Sequence, residues 1–276
     1  MTFSQRMFAA EWAGGWILTR WLFVVAALRC HGPRWRGIPD AYGAPDMVFT
    51  TGVWQLSRWF VMTEELAWFF WGLGLVGIGL VAWGRGAALH VGLWVWFLGS
   101  TALIGHEALN VKAFDRLLMW VAVGLLFSPA YERGLTRKYR SPVGRWVLML
   151  AFCSIYGSTG LFKMLMEPGW WTGETLAYHL VNPHHGGQAL GIWMSGQPLI
   201  VIIMSWWTVL FEVSFLFLIW FRRTNPWILL MAAGFQVGLF WMMNIPQFFY
   251  VTLAAFPVLL HPEVARSLWE RIRPIK

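Results

Sequence analysis

Cysteine and charge are scarce in this sequence of 276 residues, and each scarcity excludes something. Two cysteines, Cys30 and Cys153, offer no disulfide framework, no CxxC redox pair and no zinc spacing. Only 12% of the residues are charged, against about 25% in a soluble domain, which rules out an ordinary cytosolic globule. No short apolar run leads to a small-residue cleavage site, and Arg20 interrupts the first long apolar run, so no removable signal peptide is expected. Internal repeats, low-complexity tracts and loops long enough for a separate soluble domain are also missing. The 21 basic residues give a formal charge of +8, yet they are scattered through short loops, which argues against nucleic acid as a partner.

What the chain has is apolar residues, 58% of the total, in runs close to the roughly 20 residues that a helix needs to cross a hydrocarbon core. The expectation is an all-α polytopic bundle of about eight spans, at 12–28, 66–83, 87–106, 113–130, 146–166, 198–220, 227–243 and 245–260. The last is short for a crossing and could be tilted, thinned or re-entrant. One membrane domain is expected to fill 1–276, with interfacial amphipathic segments near 44–60 and 262–272. Counting Lys and Arg in the loops puts 13 on one side, including the cluster from Arg133 to Arg145, and seven on the other. The richer side is expected to be cytoplasmic, with both termini there. The segment 167–197 then faces outward, as does the turn at Asn244. The 22 tryptophans serve as interfacial belts and large core side chains, or line a pocket for a flat ligand.

The stretch most suggestive of chemistry runs from Tyr156 through Gly160 and Lys163 to Glu167, then Trp170, Trp171, Gly173 and Glu174, and on to His179. Lys163 lies near the end of a span, where an ammonium either snorkels to the interface or, if buried, can serve as a neutral base. Arg20, Asp115 and Glu212 are membrane-depth charges, and the cheapest arrangement pairs Arg20 with Glu212 or Asp115. The alternative is that Glu212 orients Lys163 as part of a proton relay. His179 is a candidate for acid–base work. His184 and His185 are adjacent and sit between Pro183 and Gly186, a turn rather than a helix face that could offer two ligands, so no metal is expected. Asn244, before Pro246, caps a helix or lines the pocket.

Read together, these residues resemble the vitamin K-dependent γ-glutamyl carboxylase superfamily, whose bacterial relatives are known as HTTM-domain proteins. The likeness rests on Gly160-Leu161-Phe162-Lys163-Met164 followed by Trp170-Trp171-Thr172-Gly173-Glu174, and on Arg20 in the first span. Gly84-Arg85-Gly86, Phe114-Asp115-Arg116-Leu117-Leu118 and the closing Phe256-Pro257-Val258-Leu259-Leu260-His261-Pro262-Glu263 extend it over nearly the whole chain. The resemblance implies a lysine base at the position of Lys163 that deprotonates a reduced, vitamin K-like quinone. In the carboxylase dioxygen then attacks the ring, and the strong base so formed removes a glutamate γ-proton before carbon dioxide adds. Beside Lys163, the residues themselves make His179 and Glu212 catalytic candidates and Trp170, Trp171, Asn244, Gln236 and Tyr156 candidate substrate contacts, and the bacterial relatives imply residence in a bacterial inner membrane. The chain departs from the family where Phe114 and Gln236 stand near the places of two family histidines, and where it ends soon after the membrane part.

Two function classes follow. The first is a carboxylase-like enzyme acting on a quinone or lipid ring, or on a secreted peptide, at the external face. The second is a non-catalytic accessory or maturation subunit that binds a membrane-complex subunit or secreted peptide. A transporter is disfavoured, because no inverted repeat and no pair of broken spans in matching halves is visible.

Overall fold

A computed structural model describes residues 11–42, 61–106, 113–128, 139–140 and 142–272. The amphipathic segment expected near 44–60 lies outside the described residues. Among them the chain is all-α apart from one two-residue pairing, in which β1 (Glu11–Trp12) lies antiparallel to β2 (Tyr139–Arg140). That pairing had no signature in the sequence. It holds Glu11 where Arg145 Nη1 meets its carboxylate at 3.3 Å.

Helices occupy all eight apolar segments: α1 (Gly15–His31), α3 (Glu64–Trp83), α4 (Ala87–His106), α5 (Ala113–Leu126), α6 (Val143–Met166), α10 (Pro198–Leu218), α11 (Asn225–Met242) and α12 (Gln247–Leu259). Short helices fill the connections: α2 (Ile38–Tyr42), then α7 (Gly169–Thr172), α8 (Glu174–Val181) and α9 (Ala189–Ser195) between α6 and α10. The chain's last described helix is α13 (Pro262–Ile272). Five helices, α3, α4, α6, α10 and α11, are long and apolar enough to cross a membrane; α12 with α13 makes a sixth if that pair, bent by 91°, is one span. The other two, α1 with 17 residues and α5 with 14, are shorter.

Local chemistry explains the boundaries. α3 starts where Thr63 Oγ1 accepts a hydrogen bond from Leu66 N at 3.3 Å, with Glu64 and Glu65 in the first turn near the positive pole of the helix. α13 turns away from α12 because it carries Glu263, Arg266, Glu270 and Arg271 and cannot continue through hydrocarbon; Arg266 and Glu270 pair one turn apart at 2.8 Å.

α3 and α4 pack as a hairpin, α1 lies against α12, and α6 lies against both α5 and α10. Between them sits a continuous core in which Phe23 meets Trp96 edge to face at 5.0 Å. His31 ends α1 between two neighbours, with Nε2 at 2.9 Å from Trp71 O and Nδ1 at 3.2 Å from Ser100 Oγ, so it ties α1 to α3 and α4.

The expected pairing of Arg20 with Glu212 or Asp115 is corrected by the fold. Arg20 sends Nε to Val81 O at 2.8 Å and Nη2 to Ala82 O and Gly84 O at 3.0 and 2.6 Å. These carbonyls end α3, where the last turn has no intrahelical donors left and the dipole is negative, so a guanidinium fork satisfies them without a carboxylate. Asp115 meets Arg34 instead, at 2.8 Å. Glu212 lies with Lys163.

Candidate functional site

On α6, Tyr156, Thr159, Gly160 and Lys163 recur at helical spacing and form one stripe. Gly160 lets α10 approach closely: a Cβ there would stand 2.8 Å from Glu212 Cβ and 2.9 Å from Val213 N, too near for any side chain. One turn further on, Lys163 Nζ reaches Glu212 Oε1 at 2.6 Å and Oε2 at 2.7 Å. The ammonium also lies 4.6 Å from the centre of the Trp170 ring, within cation–π range. Lys163 therefore does not snorkel outward; its head group turns into the bundle.

The loop after α6 builds the roof of this pair. Gly173 adopts φ +85, a left-handed turn that ends α7 and starts α8. Glu167 accepts from Trp170 Nε1 at 2.8 Å and from Thr175 Oγ1 at 3.3 Å, which locks the indole over Lys163. Trp170 O accepts a short hydrogen bond from Ser205 Oγ of α10. His179, on α8, tilts against the same indole with ring centres 6.1 Å apart.

Beneath this roof opens a cavity of about 340 Å³. Its walls are mostly apolar and come from Phe114, Leu117, Phe235, Leu239 and Phe248, with Lys163, Glu212, Trp170, His179, His185, Tyr156, Gln236, Thr159 and Thr208 as the polar or amphipathic members. Tyr156 is buried among Phe152, Phe211, Phe215 and Phe235, and its hydroxyl accepts from Gln236 Nε2 at 2.9 Å. Gln236 Oε1 is buried and has no hydrogen-bond partner among the described residues.

Six residues singled out in the sequence thus meet at one cavity. Two do not join them. Trp171 points away, exposed and edge-on to Trp206 at 5.8 Å, while Asn244 stands at the turn between α11 and α12 and donates its backbone N–H to His185 O at 2.8 Å. Among the described residues, no three His, Cys, Asp or Glu side chains form a group that could hold a metal ion. Thr208, which also lines the cavity, was missed by sequence reasoning. Its signal was present: Ser205, Thr208 and Glu212 recur three and four apart on an otherwise apolar helix.

The model of the HTTM domain, the domain of vitamin K-dependent carboxylase-like proteins, matches residues 58–263. The chain belongs to the HTTM family. Together with its long apolar helices, this makes it an integral membrane protein. The matched region contains α3 to α12 and therefore every cavity-lining residue. No curated protein and no solved structure matches the chain.

Proposed function

We propose that this HTTM protein is a carboxylase-like membrane enzyme whose cavity takes a small ring compound of the reduced-quinone type, with Lys163 as base and Glu212 as its proton partner. The observation that carries this reading is an ammonium–carboxylate pair opening on a mostly apolar cavity. A volume of about 340 Å³ suits one small molecule, since such pockets span about 300–1,000 Å³. Gln236, a polar side chain in the lining, supports a ligand that carries hydrogen-bonding groups.

When bound, a reduced quinone supplies an acidic ring hydroxyl and two electrons. The chain's own residues account for the proton. Transfer from Lys163 Nζ to Glu212 Oε1, 2.6 Å away, leaves a neutral amine able to accept a proton from a bound hydroxyl. The Trp170 face steadies the ammonium as it re-forms. His179, beside that indole, is read as passing the proton onward. The membrane is read as a bacterial inner membrane, with all eight apolar helices crossing it, the shorter ones where the bilayer thins, and both termini cytoplasmic.

A second reading, a non-catalytic subunit that binds a membrane or secreted partner, draws support from Phe114 and Gln236 standing near the places of the family histidines. One experiment separates the two. The purified protein in detergent is titrated with menadiol without oxygen, and tryptophan emission and menadiol absorbance are followed together. The enzyme reading expects saturable quenching, an anion-like menadiol spectrum, and loss of that spectrum in Lys163→Ala and Lys163→Arg, since a guanidinium does not act as a base. Absence of saturable binding, or an unchanged spectrum in folded Lys163→Ala, overturns it in favour of the subunit reading.

A further inference from the structure

The segment between α6 and α10 was expected to be an external loop. Its anchoring on α10 points elsewhere. α10 is unbroken from Pro198 to Leu218, about 31 Å at 1.5 Å per residue, close to the thickness of a hydrocarbon core. Trp170 O and Trp171 O are bonded to the side chains of Ser205 and Trp206. Those residues lie seven and eight positions into α10, so α7 hangs about 10–12 Å below the end of that helix.

The composition of the segment agrees. No lysine or arginine occurs between Lys163 and Arg222. α8 and α9 turn large apolar side chains away from the bundle, with Tyr178 63%, Val181 46%, Leu190 44%, Ile192 51% and Trp193 57% exposed. In water such a surface would be costly; in a leaflet it is what acyl chains cover. The backbone is also prepared for hydrocarbon, where unpaired N–H groups are expensive. In the turn between α8 and α9, Gly186 N and Gly187 N donate to Asn182 O at 2.6 Å and Leu180 O at 2.9 Å, and His184 N donates to Asn182 Oδ1 at 2.9 Å. Of the two acids in the segment, Glu167 has both carboxylate oxygens occupied by Trp170 Nε1 and Thr175 Oγ1, while Glu174, in the N-terminal turn of α8, is exposed.

We propose that α7, α8 and α9 form a re-entrant wedge seated in the leaflet toward which the C-terminal end of α6 points, with the outer face of α8 and α9 against lipid acyl chains. The inference concerns where the segment lies and holds whether or not the cavity is catalytic.

The test uses the full chain in phosphatidylcholine vesicles. A bimane label is placed on Tyr178→Cys or Ile192→Cys, with Arg223→Cys as the exposed control; the native Cys30 and Cys153 are buried. The wedge expects the first two labels to be quenched at least about twofold more by brominated acyl chains than by aqueous iodide, and the control to show the opposite order. A label at Ile192 or Tyr178 that iodide reaches as readily as it reaches the control overturns the proposal. The unsubstituted protein gives an independent readout: a phosphatidylcholine carrying a diazirine in its acyl chain should attach to peptides covering 174–193, and absence of attachment there, with α10 labelled, overturns it as well.

Discussion

Arg20 and Lys163 are both cations within apolar helices, and the fold treats them in opposite ways. Arg20 is closed off: its guanidinium ends on three carbonyls at the C-terminal turn of α3, so it is a cap that joins α1 to the α3–α4 hairpin. Lys163 is left open on one side. It has a carboxylate at 2.6 Å and an indole face at 4.6 Å, and the remaining side looks onto a cavity. A membrane-depth charge is costly in either place. Among the described residues, the carbonyls that meet that cost at Arg20 have no proton to exchange. At Lys163 it is met by a titratable partner, which gives a proton that can move.

The largest expected effect tests the open site. Glu212→Leu leaves the Lys163 ammonium buried without its carboxylate and should destabilise the protein by about 3–5 kcal/mol, read as an early thermal transition in detergent. Adding Lys163→Met to that variant should restore most of the loss, because a buried pair replaced by apolar groups of similar volume is often neutral. If the double variant is as unstable as the single, the pair is a structural clasp and the contrast with Arg20 fails.

Next comes the closed site. Arg20→Met removes charge-assisted hydrogen bonds from the carbonyls of Val81, Ala82 and Gly84, and should cost about 1.5–3 kcal/mol. Menadiol binding by the folded fraction should not change. Arg20→Lys should recover less than half of the stability, since one ammonium cannot reproduce the fork. Altered binding in Arg20→Met would show that the two regions are coupled.

A smaller effect sharpens the geometry. Gly160→Ala puts a Cβ against Glu212 and Val213 and should cost about 1–3 kcal/mol by pushing α6 from α10, with weaker menadiol binding as the Lys163–Glu212 contact lengthens. The smallest is its counterpart in the closed region. Gly72 of α3 has open space where a Cβ would be, so Gly72→Ala should raise stability by up to about 1 kcal/mol and leave binding alone. Comparing the two thermal shifts separates glycines kept for close approach from those that are not.

Much of this could be read in the sequence for a local reason. The length and position of an apolar run depend on consecutive residues, so helices appear at each expected segment, and the polar stripe from Tyr156 to Lys163 is a matter of spacing on one helix. The Trp-X-X-Gly loop was visible too, because a glycine in a tight turn is a local requirement, and Gly173 has the positive φ that fits it. The weaker expectations were those about pairs. Arg20 was matched to acids because acids are conspicuous in an apolar sequence, whereas its partners are carbonyls that every helix end possesses and no residue type announces.

By itself, then, the sequence determined an all-α membrane protein of the HTTM family, the placing of its helices, and a lysine beside a tryptophan-rich loop. Only the tertiary structure decided that Lys163 meets Glu212, 49 residues away, and that Arg34 meets Asp115, 81 residues away. It alone decided that Tyr156, Gln236, Trp170 and His179 share one cavity, and how deep α7 hangs on α10. The physical reason is that helix formation answers to neighbours along the chain, while the choice of partner answers to which helix faces can come close. Here the close approach of α6 to α10 is allowed by the missing side chain at Gly160, and no local pattern names the residues of α10 that come to lie against it.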